Sequence, residues 1–136
     1  SQNKPSPSNF TGKIDNSVIT GFQHVLDNLN KIRILDVRSK EEFSGEIVRA
    51  ARSGHIPTST NVDWAENITR DGTLKNNEDL SKLYNLPKDA EIVTYCQGGY
   101  RAANTYLALK KIGFTNVMVY LGSWGEWGNM LELPAE

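Results

Sequence analysis

Short segments with the composition of β-strands alternate with helical segments along most of this 136-residue chain, and this alternation limits the possible folds most strongly. Aliphatic, β-branched and aromatic residues concentrate in 32–36, 91–95 and 117–120, with a very short fourth segment at 61–62. Strands that alternate with helices form βαβ units, whose strands are parallel and whose helices cover both faces of the sheet. The sequence therefore predicts an α/β fold with a small parallel central sheet of about five strands.

Two helices are predicted in the first third of the chain. Apolar residues recur at helical spacing after possible N-cap residues at 15–17, namely Val18, Phe22, Val25, Leu26 and Leu29. Ser39 and Glu42 have the spacing of a capping box. We therefore expect a first helix that begins near Ser17, and a short second helix that starts at Ser39 and carries Phe43 inward.

The remaining segments have equally local signals. Helical patterns at 77–84 and 102–112 predict two further helices, the second with Gly113 as its C′ residue. We expect 45–57 to be irregular and 122–128, which is rich in glycine and tryptophan, to form turns.

Length and composition favour one globular domain. The apolar fraction of 38% and the charged fraction of 23% are ordinary for a folded chain of this size. The first nine residues differ, because they contain two prolines, three serines and no apolar residue. We predict a linker or disordered tail at 1–12 and a single domain at 13–136.

Charge and cysteine content exclude several classes of function. A net charge of −1 without a basic stripe makes nucleic acid a poor candidate partner. One cysteine cannot form an internal disulfide, so the fold depends on packing alone. No apolar run approaches the roughly 18 residues of a membrane span, and no signal-peptide core is visible. We expect a soluble protein without a membrane partner, with the cytoplasm as the favoured location.

The single cysteine, Cys96, lies between the predicted strand 91–95 and the predicted helix 102–112. A thiol at such a junction faces unpaired helix N–H groups and the positive end of the helix dipole, which together stabilise a thiolate. Since parallel sheets gather reactive groups at the carboxyl ends of their strands, Cys96 is predicted to share one edge with Asp36 and Arg38, which end the strand 32–36.

The loop after Cys96 has the composition of an anion-binding turn. Four residues separate Cys96 from Arg101: Gln97, Gly98, Gly99 and Tyr100. A tight curl that aims successive backbone N–H groups at the sulfur needs the conformational freedom of glycine. Arg101 adds a cation with two donor positions. The loop is therefore expected to hold a thiolate, a persulfide or a bound oxyanion at Cys96.

These residues resemble the active-site loop of the rhodanese-type sulfurtransferases. The similarity extends in order along the chain from about Val18 to Trp127, through Asp36-Val-Arg38, Glu41-Glu42-Phe43, Gly54-His55-Ile56-Pro57, Asn61, Cys96-Gln-Gly-Gly-Tyr-Arg101 and Gly122-Ser-Trp124 with Glu126-Trp127. The last of these segments is similar to the catalytic C-terminal half of tandem thiosulfate and mercaptopyruvate sulfurtransferases. The resemblance implies a rhodanese-like fold and a possible preceding second domain of the same kind.

The resemblance also implies a two-step reaction that needs no cofactor and no metal. Cys96 takes the outer sulfur of a small anionic donor, becomes a persulfide, and passes the sulfur to a thiol, cyanide or protein-cysteine acceptor. Arg38 and Arg101 are expected to bind the donor. Asp36 is expected to support the loop through hydrogen bonds, and His55 to pack behind it as a structural residue.

The residues of the loop match neither of the two known donor classes fully. Thiosulfate-specific members carry basic residues after the cysteine, whereas Gln97 and Gly98 are neutral. Mercaptopyruvate members end the loop in threonine, where this chain has Arg101, and their second carboxylate-binding arginine has only Arg49 and Arg52 as nearby candidates. Thiosulfate is the first choice and 3-mercaptopyruvate the second.

Two other functions compete with sulfur transfer. Cysteine-dependent phosphatases and arsenate reductases place five residues between cysteine and arginine, because a tetrahedral oxyanion needs a wider loop; this chain has four. Rhodanese-like regulatory or sulfur-relay modules bind protein partners, but the regulatory ones typically lose the cysteine that this chain retains. Both alternatives therefore rank below sulfur transfer from a small donor.

Overall fold

The computed structural model describes residues 6–136, and its centre is a five-stranded sheet in which every pair is parallel. The strands are β1 (Ile19–Thr20), β2 (Arg33–Asp36), β3 (Thr60–Asn61), β4 (Ile92–Tyr95) and β5 (Val117–Tyr120). Their order across the sheet is β1-β5-β4-β2-β3. This arrangement confirms the predicted α/β fold and parallel sheet.

Five α-helices connect or follow the strands. They are α1 (Phe22–Asp27), α2 (Lys40–Ser44), α3 (Asn77–Leu83), α4 (Tyr100–Lys111) and α5 (Ser123–Trp127). Two short 3₁₀ helices occupy Asn16–Val18 and Trp64–Asn67. Residues 6–12 of the predicted tail contain neither helix nor strand, and the first five residues of that tail lie outside the described part.

The core has two halves, one on each face of the sheet, because side chains alternate along every strand. Ile92 of β4 faces α3 and α4, where it packs in a cluster with Leu80 and Leu109. Val93, the next residue, faces α1 and α5 and packs with Val25. The helices therefore cover both faces, as predicted.

The predicted first helix is wrong at its start. Residues 16–18 form a 3₁₀ turn capped by the Asp15 side chain, Ile19 and Thr20 then pair with β5, and the α-helix begins only at Phe22. The N-cap Gly21 is extended, with φ −110° and ψ 174°. Helical spacing of apolar residues concealed a two-residue edge strand, since an element this short has no period of its own.

Other local predictions differ in their outcome. The capping box is confirmed, because Ser39 Oγ accepts from Glu42 N–H and the Glu42 carboxylate accepts from Ser39 N–H. Phe43 is only half-buried and stacks on His55 at 3.7 Å between ring centroids, while Glu42 is the buried residue of α2. The segment 122–128, predicted as turns, contains α5.

The strand order places two strand ends at one crevice. After β2 the chain continues to β3 at one edge of the sheet, and after β4 it continues to β5 toward the other edge. The strand order therefore reverses between the neighbours β2 and β4. Asp36 pairs with Tyr95 at the carboxyl ends of these two strands. Ligands of open α/β sheets bind at such reversal points.

No helix among residues 6–136 is long and apolar enough to cross a membrane.

Candidate active site

Cys96 follows β4 and lies beneath the turn that leads into α4. The residue is only 1% exposed, and its Sγ accepts a hydrogen bond from Gly99 N–H at 3.1 Å. Gly99, the N-cap of α4, has a φ of 91°, a left-handed conformation that glycine adopts without strain. The turn therefore places a backbone donor and the positive end of a 12-residue helix beside the sulfur, where both stabilise negative charge.

The first turn of α5 holds the backbone of the cysteine loop. Cys96 N–H donates to Ser123 Oγ at 3.1 Å, and Trp124 N–H donates to the Cys96 carbonyl at 2.9 Å. Ser123 is fully buried, has a φ of 54°, and donates its own hydroxyl to Tyr120 O. A left-handed φ is costly for a residue with a Cβ, and the surrounding hydrogen bonds maintain it. Ser123 thus connects the end of β5 to the cysteine.

Gly125 extends this contact by one residue. Its N–H donates to the Gln97 carbonyl at 2.9 Å, and a Cβ on Gly125 would lie 2.6 Å from that oxygen. Only glycine permits an approach this close without moving the loop. The loop backbone is therefore supported from below over two successive residues.

A buried carboxylate and two arginines lie beside the loop. Glu42 on α2 is bound by Arg101 through two hydrogen bonds, of 2.6 and 3.0 Å, and by Arg49 Nε at 3.3 Å. The Glu42 side chain is buried, whereas the Arg49 side chain is 58% exposed. Arg101 is therefore charge-paired with a carboxylate, and Arg49 carries the excess positive charge of the cluster toward solvent.

The pKa values of this cluster follow from the same contacts. Burial alone would raise the pKa of Glu42, but hydrogen bonds from Arg101 and from Ser39 N–H, with the arginine charges, lower it overall. Hydrogen bonds to Glu42 raise the pKa of Arg101 against the effect of burial, and the Cys96 sulfur adds to that rise. Cys96 therefore stabilises the charged form of Arg101, which is at the same time bound to Glu42.

Acid should weaken the fold through this cluster. The ionised Glu42 contributes stability above the ordinary glutamate pKa of 4.5, and this contribution is lost as the pH falls through the lower pKa of the folded state. We expect Glu42→Gln to reduce the free energy of unfolding at pH 7 by about 1–3 kcal/mol, and by less at pH 3. Urea unfolding of both proteins at the two pH values measures this; an equal loss at both would contradict the assignment.

Arg38, which was expected to bind the donor, is buried at the end of β2. It is 1% exposed, binds both oxygens of Asp36, and donates to Gly54 O at 2.8 Å. Its guanidinium also lies over the Trp124 ring, 4.8 Å from the centroid. Burial opposes the charged form, yet Asp36 outweighs it and raises the pKa of Arg38. A guanidinium with these partners connects β2, Gly54 and α5, and the donor-binding role expected for Arg38 stays a prediction.

Asp36 and His55, expected to support the loop, each contact a neighbouring aromatic residue. Asp36 accepts from Arg38 N–H and from the Tyr95 hydroxyl at 2.6 Å, directly before Cys96. Burial, followed by the Asp36 charge, raises the pKa of Tyr95 well above its usual value. His55 stacks on Phe43 and hydrogen-bonds its carbonyl at 3.0 Å through Nδ1. Neither Asp36 nor His55 makes a hydrogen bond to the sulfur.

The outer part of the loop is open to solvent. Gln97 donates from Nε2 to Arg49 O at 3.0 Å, and its Oε1 is buried without a hydrogen-bond partner. Gly98 is exposed, with open space where a Cβ would lie. Tyr100, the first residue of α4, is 91% exposed. The sulfur is thus buried, whereas the outer surface of the loop is exposed.

Sequence reasoning found the cysteine loop but missed residues that hold it. In the sequence, Ser123 is marked only by the family resemblance, and Glu42 only by that resemblance and by the capping box. The capping box gave no indication that the Glu42 carboxylate also binds two arginines. A serine between Gly122 and Trp124 offers no local signal of a left-handed conformation.

Two further observations limit what the site can hold. Among residues 6–136, no group of three or more His, Cys, Asp or Glu side chains is placed to bind a metal ion. A cavity of about 430 Å³ lies at the β2–β3 edge, where residues such as Leu29, Ile34 and Tyr84 line it, and it includes no residue of the cysteine loop.

Comparisons with known proteins agree with this geometry. The family model described as "Rhodanese-like domain" matches residues 22–130. The chain is 37% identical to a Mycobacterium tuberculosis protein named "Putative thiosulfate sulfurtransferase", over 98% of this chain and 52% of that protein. It is 36% identical to the "Sulfur carrier protein TtuD" of Thermus thermophilus, over 88% of this chain and 48% of that protein.

A solved structure shares the fold. The wild-type structure of EanB superposes with a TM-score of 0.81 at 20% identity, covering 88% of this chain and 31% of EanB. At that identity the similarity shows the architecture alone. The chain spans about half the length of the curated relatives that it matches.

Proposed function

Because the chain belongs to the rhodanese-like domain family, we propose that it is a sulfurtransferase that carries sulfane sulfur as a persulfide on Cys96. The observation that carries this proposal is the Gly99 N–H donated to Sγ beneath a loop of four intervening residues. A loop of this size provides a backbone donor for one sulfur atom with negative charge. The relatives named as a thiosulfate sulfurtransferase and a sulfur carrier protein support the same chemistry.

The proposed reaction has two displacements. The Cys96 thiolate attacks the outer sulfur of thiosulfate; a new S–S bond forms, the S–S bond of thiosulfate breaks, and sulfite leaves with the electron pair. The acceptor, as a thiolate or cyanide, then attacks the outer sulfur of the persulfide and releases the Cys96 thiolate. The Gly99 N–H and the α4 N-terminus stabilise the anion in both the free and the loaded states.

Intact mass spectrometry tests this proposal directly. Incubation with thiosulfate should add the mass of one sulfur atom to the protein, and subsequent cyanide should remove it and yield thiocyanate. The same experiment with 3-mercaptopyruvate compares the two donors. A protein whose mass does not change with either donor would contradict persulfide formation.

Arg49 is the cation that we propose for binding the anionic end of the donor. Arg38 is buried against Asp36, and Arg101 is doubly bound to Glu42, so neither presents an unoccupied guanidinium. Arg49 contacts the same Glu42 only through Nε, and its side chain is more than half exposed. Arg101 is proposed to stabilise the negative charge of the sulfur, since Cys96 in turn raises the pKa of Arg101.

Arg49→Ala should raise KM for thiosulfate about tenfold or more, since one charge-assisted hydrogen bond is lost, while kcat changes much less. Arg49→Lys should recover part of the loss. Arg33→Ala is the matched control, because Arg33 begins β2 at the opposite end of the strand from the site. Steady-state kinetics with cyanide as acceptor measures all three variants, and an unchanged KM in Arg49→Ala would remove Arg49 from donor binding.

A protein acceptor is a second candidate within the same chemistry. The relative named "Sulfur carrier protein TtuD" supports a function in which the sulfur is carried to a further acceptor. An adjoining second rhodanese-like domain stays a prediction, as does the cytoplasmic location.

A further inference from the structure

An apolar rim lies around the loop that covers Cys96, and we propose that it binds the cysteine-bearing segment of a protein acceptor. The rim consists of Val48, Tyr100 and Leu121, all of them exposed large apolar side chains. This inference rests on the proposed sulfur transfer and names the kind of acceptor that the site fits.

Tyr100 is part of the loop, Leu121 contacts it, and Val48 is next in the chain to a residue that contacts it. Tyr100 belongs to the loop and follows Gly99 directly. Leu121 approaches the loop from the end of β5, with atoms 3.2–3.6 Å from the position that a Cβ on Gly99 would take. Val48 precedes Arg49, whose carbonyl accepts from the Gln97 side chain at 3.0 Å. The rim therefore borders the loop on more than one side.

The burial of the sulfur determines which acceptors touch this rim. Because Cys96 is only 1% exposed, an acceptor sulfur must approach the loop closely to reach the persulfide. Cyanide and small thiols can do so alone. A cysteine within a polypeptide brings its neighbouring residues against the loop border, where Tyr100, 91% exposed, offers a large apolar surface. Tyrosine is one of the residues that contribute most strongly to protein binding.

The positive charge of Arg49 beside the rim further limits which acceptor segments fit. Arg49 is adjacent to Val48 in the chain and extends toward solvent. A carboxylate in the acceptor segment would complement this charge. The expected partner is an extended segment in which aliphatic residues flank the cysteine and an Asp or Glu follows.

Two synthetic peptides test this specificity. One carries Leu-Cys-Leu-Glu and the other Ser-Cys-Ser-Glu, and each rate is divided by the rate with cyanide to remove effects on persulfide formation. We expect the wild-type kcat/KM to be about tenfold higher for the leucine peptide. Tyr100→Ala should reduce this preference to about twofold or less, and Val48→Ser should reduce it partly. Leu107→Ser removes an exposed apolar residue farther along α4 and should keep the full preference.

The outcomes separate this inference from the proposed function. Equal wild-type rates with both peptides, while thiosulfate still loads the protein, would overturn the rim as a docking surface and leave sulfur transfer intact. Failure to load would contradict sulfur transfer itself. A wild-type protein that sediments as a dimer while Tyr100→Ala is monomeric would show that a second copy covers the rim, and would also overturn the inference.

Discussion

Replacing Cys96 with serine is expected to abolish sulfur transfer, with a loss of about 10⁴-fold or more in kcat/KM for thiosulfate. The reaction requires a sulfur nucleophile that can hold a second sulfur, and a serine hydroxyl forms no stable equivalent of the persulfide. Intact mass after incubation with thiosulfate and the rate of thiocyanate formation measure the two steps separately. Both should fall to background in the variant.

The fold should survive this substitution. Serine is close to cysteine in volume, and the buried hydroxyl costs about 1–3 kcal/mol if it lacks a partner. Circular dichroism and urea unfolding therefore serve as controls. Retention of a transferable sulfur by Cys96→Ser would contradict the assignment, because the chain has no other cysteine.

The same variant distinguishes sulfur transfer from phosphate chemistry. A cysteine-dependent phosphatase should hydrolyse an aryl phosphate and lose that activity in Cys96→Ser. We expect no appreciable hydrolysis by the wild type, because the arginine that ends the loop is bound to Glu42 and the loop has only four intervening residues. Turnover that disappears with Cys96 would favour the phosphatase alternative.

Replacing Gly99 with alanine should have the next largest effect. Gly99 has a φ of 91°, and an added Cβ would meet Leu121 atoms at 3.2–3.6 Å. The expected cost is about 1–3 kcal/mol of stability from backbone strain. Because the strained turn carries the N–H that donates to Sγ, kcat/KM should also fall about 100-fold.

Two glycines provide matched controls for this prediction. Gly113 has the same φ of 91° and nothing within 4 Å of an added Cβ, and it lies just beyond the C-terminal end of α4. Gly113→Ala should therefore lose stability but keep activity. Gly98→Ala adds a Cβ in open space and should change either quantity little. If Gly99→Ala retained the activity of Gly113→Ala, the Gly99 N–H would have no part in the reaction.

Much of the fold followed from local sequence patterns. The strands β2, β4 and β5 were found to within one residue, and so was the C-terminal end of α4, because each is long enough to show its own pattern. The edge strand β1 was missed. Two residues have no period, and their pairing with β5 depends on residues 100 positions away along the chain.

The candidate site also has a part that local sequence predicts and a part that depends on long-range contacts. Local sequence patterns predicted the cysteine loop, its glycine turn and its place before a helix, because these are nearest neighbours along the chain and their geometry is local. The exposure of each arginine, by contrast, depends on the tertiary structure. Arg38 is bound to Asp36 and covered by Trp124, and Arg101 is bound to Glu42 across 59 positions. Burial makes an unpaired charge costly, so the buried Arg38 and the half-buried Arg101 each bind a carboxylate, whereas more than half of the Arg49 side chain faces solvent.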